Sequence, residues 1–235
     1  AMAALLAETS FSADDAILDG DFLEKYAPEI SRDKLIDFLN GPDLIDTLRF
    51  KQFPCGVATH PAILAVKRIK SRTQITPDQI TSIEVYVYPN AFQCAIIRYP
   101  KTGLEGKFSI YYCIARTLLF GNVDIDSFSD AAVGLEELRP VIDKIVLHER
   151  VEYQDTRSTT VTIRKTDATT ITETVNMLQE MSNREAQNNL VIEKYENVLA
   201  SFMDKENAES LRRTVWNLEN VTDINALTLH MRVRL

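Results

Sequence analysis

The spacing of apolar residues along this chain changes character twice. Ala1 to Glu8 reads as the end of a helix without an N-terminal cap, and a second short helix follows around Ser12 to Leu18 with a stop at Pro28. Ser31 then caps a short helix with Leu35, Ile36 and Leu39 on one side, which Gly41-Pro42 ends. From Thr47 the period shortens. "TLRFKQFP" alternates weakly, as a short strand ending at Pro54 would. Pro61 suits the first turn of a helix whose apolar stripe is Ile63, Val66 and Ile69. In "SIEVYVYP", Ile83, Val85 and Val87 face one way and Glu84, Tyr86 and Tyr88 the other.

A second strong helix is expected from about Glu105 to Phe120, stopping at Gly121. Three runs rich in Val, Ile and Thr follow: "DKIVLHERV", "STTVTIRKT" and "TTITETV". The last two are separated by a polar turn near Asp167, which predicts an antiparallel hairpin. After Ser182 the helical period returns, with Leu190, Tyr195, Val198, Leu199 and Phe202 on one face and Leu211, Val215 and Leu218 on another. The fold class expected is α+β. A small domain with a mostly antiparallel sheet and covering helices spans 47–178. Helical segments 1–46 and 179–235 flank it, as pieces of an all-α domain would.

Composition narrows the function classes. A chain that is 45% apolar and 26% charged can bury a core, and a net charge of −8 argues against nucleic acid as a partner. No apolar run approaches the roughly 18 residues of a membrane span, and Ala1 to Ala7 lack the basic flank of a secretory leader. Cys55, Cys94 and Cys113 form no close pair, and the three histidines are far apart. A structural zinc site is therefore not expected, and an intracellular compartment, cytoplasmic or mitochondrial, is.

Two stretches carry candidate chemistry. In "KQFPCGVATHPAI", Lys51 ends an extended run and His60 stands at a helix start, where unpaired N–H groups and the dipole attract carboxylates. His60 can equally be a plain helix cap, and Lys51 a solvated surface charge. In "YPKTGLEGKFSIYYCIARTLLFG", Gly103 and Gly106 permit a tight turn, after which Lys107 falls in the first turn of the expected helix. A lysine there opposes the dipole unless an anion binds beside it. Phe108, Tyr112, Ala115 and Leu119 share one line of that helix, so Tyr112 is either a core aromatic or a site residue.

These two stretches resemble the MmgE/PrpD family, whose members show a "K-x-x-P-C…T-H-P-A-I" segment followed by a "P-x-T-G-L-E-G-K-F-S…Y-C-V-A" segment. The likeness covers roughly 1–175, is strongest over Lys51 to Gly121, and fades beyond Val175. It implies the C-terminal part of a protein with a large helical domain, an α+β lid and a cleft between them, needing no metal or organic cofactor. Family activities are dehydration of 2-methylcitrate, decarboxylation of cis-aconitate and epimerisation of iminodisuccinate. By resemblance Lys51 and Tyr112 take catalytic positions, and His60 and Lys107 substrate-binding ones.

The family's acid/base aspartate and histidines lie mainly in the helical domain, which has no bulk counterpart here. The "D-R-D-H-C" run of methylcitrate dehydratases and cis-aconitate decarboxylases is replaced by "EGKFS". The resemblance implies a lyase or isomerase of a small di- or tricarboxylate, inactive as this piece alone, with no membrane partner and with self-association or a homodimer through its helices. The alternative is a non-catalytic remnant or a structural module.

Overall fold

The computed structural model describes residues 8, 9, 29, 31–41, 48–199 and 202–230. The helix expected over 12–18 and the stop at Pro28 lie outside the described residues, as does nearly all of the one expected over 1–8. The chain divides into two compact units, Ala1–Leu48 and Arg49–Leu235. In the first, α1 (Arg32–Leu39) starts where the Lys34 N–H donates to the Ser31 hydroxyl at 3.3 Å.

The second unit contains, in order, α2 (His60–Arg72), β1 (Ile80–Val87), α3 (Pro89–Cys94), α4 (Gly103–Gly106), α5 (Ile110–Phe120), α6 (Asp130–Val133) and α7 (Arg139–Ile142). Then come β2 (Ile145–Glu149), β3 (Ser158–Lys165), β4 (Thr170–Asn176), α8 (Met177–Ser182), α9 (Arg184–Leu199), α10 (Lys205–Trp216) and α11 (Asn225–His230). One four-stranded sheet runs in the order β2-β1-β3-β4. β1 pairs antiparallel with β3, and β3 with β4; only the β1–β2 pair is parallel. The class is α+β with a mostly antiparallel sheet, as the periodicity predicts.

Register sorts the side chains into two faces. Ile83, Val85, Ile145, Val161, Ile163 and Val175 share one face and are fully buried. Helix α2 packs on this face across β3 and β4, and α5 packs on α2. Ile63, Val66 and Ile69 of α2 are inaccessible to solvent, each worth about 1.5–3 kcal/mol of burial. Glu173 also points to this side, where it meets Arg68 at 3.6 Å and hydrogen-bonds Arg72. The opposite face is polar. Tyr86 stacks on His148, whose Nε2 lies 2.5 Å from Glu84, and Thr160 meets Thr174 at 2.8 Å.

The hairpin turn forms where it is expected: the Lys165 N–H donates to the Thr169 carbonyl, and Asp167 accepts from the Thr169 N–H at 2.9 Å. Two elements differ from the sequence reading. Residues 48–51 form no strand; Leu48 and Phe50 are 67% and 58% exposed, so their alternation has no apolar face to serve. The helix expected from Glu105 to Phe120 is two helices. Thr102 caps α4 and Ser109 caps α5, each accepting from the N–H three residues on. Two good caps seven residues apart outcompete one continuous helix. Its end is as expected, with Gly121 in the left-handed region at φ 80°.

Candidate active-site region

The segment after Lys51 folds as a tight turn that tucks two side chains inward. Phe53 and Cys55 are 4% and 5% exposed, and a single 3-10 turn, Val57–Thr59, leads directly into α2. Lys51 itself is exposed, and its backbone carbonyl accepts from Lys194 Nζ of α9 at 2.7 Å. His60, the first residue of α2, is 1% exposed with the Phe53 ring edge-on at 5.3 Å. Its Nε2 is buried without a hydrogen-bond partner.

The second motif meets the first through the backbone. The Gly56 N–H donates to the Lys107 carbonyl at 2.8 Å. A Cβ on Gly56 would stand 3.1 Å from that oxygen and 3.5 Å from the Phe108 ring, so the close approach is tied to glycine here. Lys107 is half-buried, with its Nζ 6.0 Å from the centre of the Phe128 ring. It sits at the C-terminal cap of α4, with its N–H on the Gly103 carbonyl. The dipole penalty expected for this lysine is therefore absent: split at Gly106, the helix presents carbonyls to it, which favour a cation.

Tyr112 is fully buried, and its hydroxyl donates to the Ser127 carbonyl. Burial pushes the phenol up to about 12. Of the two positions that spacing left open, Tyr112 takes the one in the core. Thus the structure brings the two motifs into contact, leaves Lys51 exposed and Lys107 half-exposed, and encloses His60 and Tyr112.

The same contact builds a cluster that the spacing of the cysteines hides. Cys55 Sγ lies 3.0 Å from Thr59 Oγ1, and the Thr59 hydroxyl also reaches the Gly56 carbonyl at 2.9 Å. Cys113 of α5 is inaccessible to solvent, and its Sγ reaches the Gly106 carbonyl at 3.8 Å. The Cys113 thiol, then His60 and Thr59, hold the Cys55 thiol below its ordinary range against burial. Burial and the Cys55 charge push Cys113 up. Among the described residues no three His, Cys, Asp or Glu converge as a set of metal ligands.

The model of the MmgE/PrpD C-terminal domain matches residues 53–220. The chain belongs to the MmgE/PrpD family. Among curated proteins it is similar to human cis-aconitate decarboxylase, 23% identical over 241 residues, covering 96% of this chain and 49% of that protein. The chain thus spans about half the length of this MmgE/PrpD relative. The family match takes in the second motif whole and the first from Phe53 onward, so Lys51 lies just before it. Sequence reading missed Cys55 and Cys113 as a pair because 57 residues separate them. The signal present was the run Ile110, Cys113, Ile114, Thr117, a buried stripe that places Cys113 inside. Among the described residues no helix is long and apolar enough to cross a membrane.

Proposed function

We propose that this chain contributes the lid side of a cofactor-independent lyase or isomerase site for a small di- or tricarboxylate. The observation that carries the reading is the family membership, joined to the direct contact between the two motifs at Gly56 and Lys107. Dehydration, decarboxylation or epimerisation of such a substrate raises negative charge at carbon beside carboxylates, so fixed cations must face it. Lys51, exposed, and Lys107, half-exposed, are the groups placed to contact an anion. His60 and Tyr112 act from behind them: His60 starts α2 against the Phe53 ring, and Tyr112 of α5 packs on the Phe128 ring that Lys107 Nζ also faces. The acid/base residues implied by the family lie mainly outside this chain, so the chain alone is expected to show none of the ordinary turnover of about 1–1000 per second.

A second reading, a module that binds or assembles without turnover, draws on the enclosed Tyr112 hydroxyl. Thermal unfolding with added 2-methylcitrate or cis-aconitate, and acetate as control, separates the two. A ligand at a hundred times its Kd stabilises by about 2.7 kcal/mol, a rise in Tm of several degrees. We expect the polycarboxylates alone to give it, and Lys51→Ala and Lys107→Ala each to weaken it. Equal behaviour of acetate and the polycarboxylates would favour the second reading.

A further inference from the structure

We propose that the turn from Asp124 to Asp130, which belongs to neither motif, holds the two halves of the second motif in register, with Asp124, Ser127 and Asp130 as positioning residues. The proposal rests on the reading of Lys107 and Tyr112 as parts of the lid side of the site. Three attachments join the turn to the motif. The Asp130 carboxylate accepts from the Gly103 N–H at 2.7 Å, and the Ser127 carbonyl accepts from the Tyr112 hydroxyl. Between them, the Phe128 ring lies 5.8 Å from the Tyr112 ring and 6.0 Å from Lys107 Nζ. The fit leaves no clearance. A Cβ on Gly103 would stand 1.7 Å from the Phe128 carbonyl oxygen, and one on Gly106 would stand 3.4 Å from the Tyr112 ring and 3.5 Å from the Phe128 ring. Gly103 is not in the left-handed region. The close approach of the turn, rather than backbone freedom, requires glycine there.

The turn is itself fixed from outside. Asp124 is exposed, yet its Oδ1 accepts from the Ser127 N–H at 2.9 Å and from the Ser127 hydroxyl at 2.6 Å, and that hydroxyl accepts from the Asp124 N–H at 3.0 Å. These bonds close a ring around Ser127, which has no solvent access and presents its carbonyl to the phenol. The Ser129 hydroxyl accepts from the Ala132 N–H at 3.2 Å and starts α6, with Asp130 as its first residue. Both carboxylates are thus engaged by donors of the chain, and what they supply is placement. The need for it follows from the break in the motif. Lys107 ends α4 and Tyr112 lies in α5, two separately capped helices that could shift against one another. Asp130 holds the first and Ser127 the second, so one turn sets the place of Lys107 relative to α5. A site for a small anion needs its contacts held within about 0.5 Å.

The test is read first without ligand, by amide hydrogen exchange and alkaline absorbance of the full chain. The Gly103 amide should be protected in the unaltered chain. In Asp130→Ala it should exchange about tenfold faster, as the loss of one charge-assisted hydrogen bond predicts. Asp130→Asn, which keeps an accepting oxygen, should restore most of the protection. The Ile83 amide, bonded to the Lys144 carbonyl in the sheet, should stay protected throughout. Tyr112 ionises at about 12, chiefly because it is buried, with Arg116 drawing it down and Cys113 and Asp124 adding. Asp124→Ala and Ser127→Ala should each move that ionisation to lower pH, and the second does so with the Asp124 charge intact. With cis-aconitate added, the rise in Tm should shrink in all three alanine variants. No rise in the unaltered chain would overturn the lid reading alone, because the exchange and phenol results involve no ligand. Free exchange of Gly103 in the unaltered chain overturns the proposal even should the variants fail to fold, and so does a phenol unmoved in both Asp124→Ala and Ser127→Ala.

Discussion

Helices α5 and α9 both carry apolar residues at helical intervals, yet they end in opposite surroundings. Seven residues of α5 are buried: Ile110, Tyr112, Cys113, Ile114, Ala115, Thr117 and Leu118. None of the described side chains of α9 is buried. The cause is the residues between the apolar ones. Those of α5 are Tyr111, Leu119, Phe120 and a single charge, Arg116, whose guanidinium lies over the Phe120 ring at 4.0 Å, so the helix can be enclosed on most sides. In α9 Glu185, Asn188, Glu193, Lys194 and Glu196 interrupt the surface, and Leu190, Val191 and Ile192 spread round the axis. Phe202, expected on the same face, lies beyond the helix end at Leu199 and is 48% exposed. The ends differ too. Lys70 of α2 reaches round to the Thr117 and Leu118 carbonyls at 3.1 and 2.5 Å, closing the C-terminus of α5. α9 is held to α10 by Tyr195, whose hydroxyl donates to the Ala208 carbonyl at 2.6 Å. A helical period therefore predicts a helix in both places, while burial depends on whether the intervening side chains tolerate enclosure.

The sharpest way to break this contrast is to trim one apolar side chain in α5 and one in the C-terminal helices. Ile114→Ala in α5 removes a side chain with no solvent access and should cost about 2–5 kcal/mol. Val215→Ala in α10 trims a residue that is 43% exposed and should stay within about 0.5 kcal/mol. Denaturant unfolding of both variants checks the pair. Similar losses at the two sites would show that the C-terminal helices are as much part of the core as α5.

Tyr112→Phe comes next in size. It removes one hydroxyl and leaves the Ser127 carbonyl without that donor, a loss of about 1–3 kcal/mol. It also has a pH signature. The folded phenol is raised from its ordinary 10 to about 12, chiefly by burial. Between those values the native state holds a proton that the unfolded chain has released. Stability is therefore fully present below about pH 10 and falls as pH rises towards 12. In Tyr112→Phe that alkaline fall should flatten, as measured by unfolding across this range. An unchanged alkaline slope would place the phenol in solvent and restore Tyr112 as a candidate for substrate contact.

What the sequence made legible follows the range of the physical signal. The alternation of Ile83, Val85 and Val87, the hairpin at Asp167, the Pro61 start of α2 and the Gly121 stop are all set by neighbours in sequence, and each is found in the structure. The split at Gly106 to Ser109 was less legible, because the spacing of apolar residues does not show that Thr102 and Ser109 each cap a separate helix. Lys107 changed meaning with that split, from the start of one helix to the end of another. Residues 48–51 failed for a converse reason: alternation alone makes no strand where neither face is buried, and Leu48 and Phe50 both stay exposed. The Gly56–Lys107 contact joins the two motifs through the backbone, and their order along the chain holds no trace of it. The same applies to Tyr112, whose helical line allowed core and rim alike until Ser127 and Phe128 were placed against it.

The smallest expected change in stability goes with the largest change in association. Trp216, Leu218 and Ile224 near the C-terminal end of the described chain are 57%, 46% and 59% exposed, alongside Val215. Isolated exposed apolar residues are ordinary, but several large ones within ten positions favour a covered surface. The expected cover is a second copy of the chain. Trp216→Ser should alter unfolding far less than Ile114→Ala, since more than half of the indole is already in water in the single chain. It should nonetheless lower the apparent mass in sedimentation at high concentration. The chain has a single tryptophan, so its fluorescence reports this site without interference. If copies meet here, the wild-type emission should shift to the blue as concentration rises, because association removes the indole from water. Emission that stays at the position of an exposed indole, with a monomeric mass at every concentration, would leave these side chains as scattered surface residues and remove self-association through this end of the molecule.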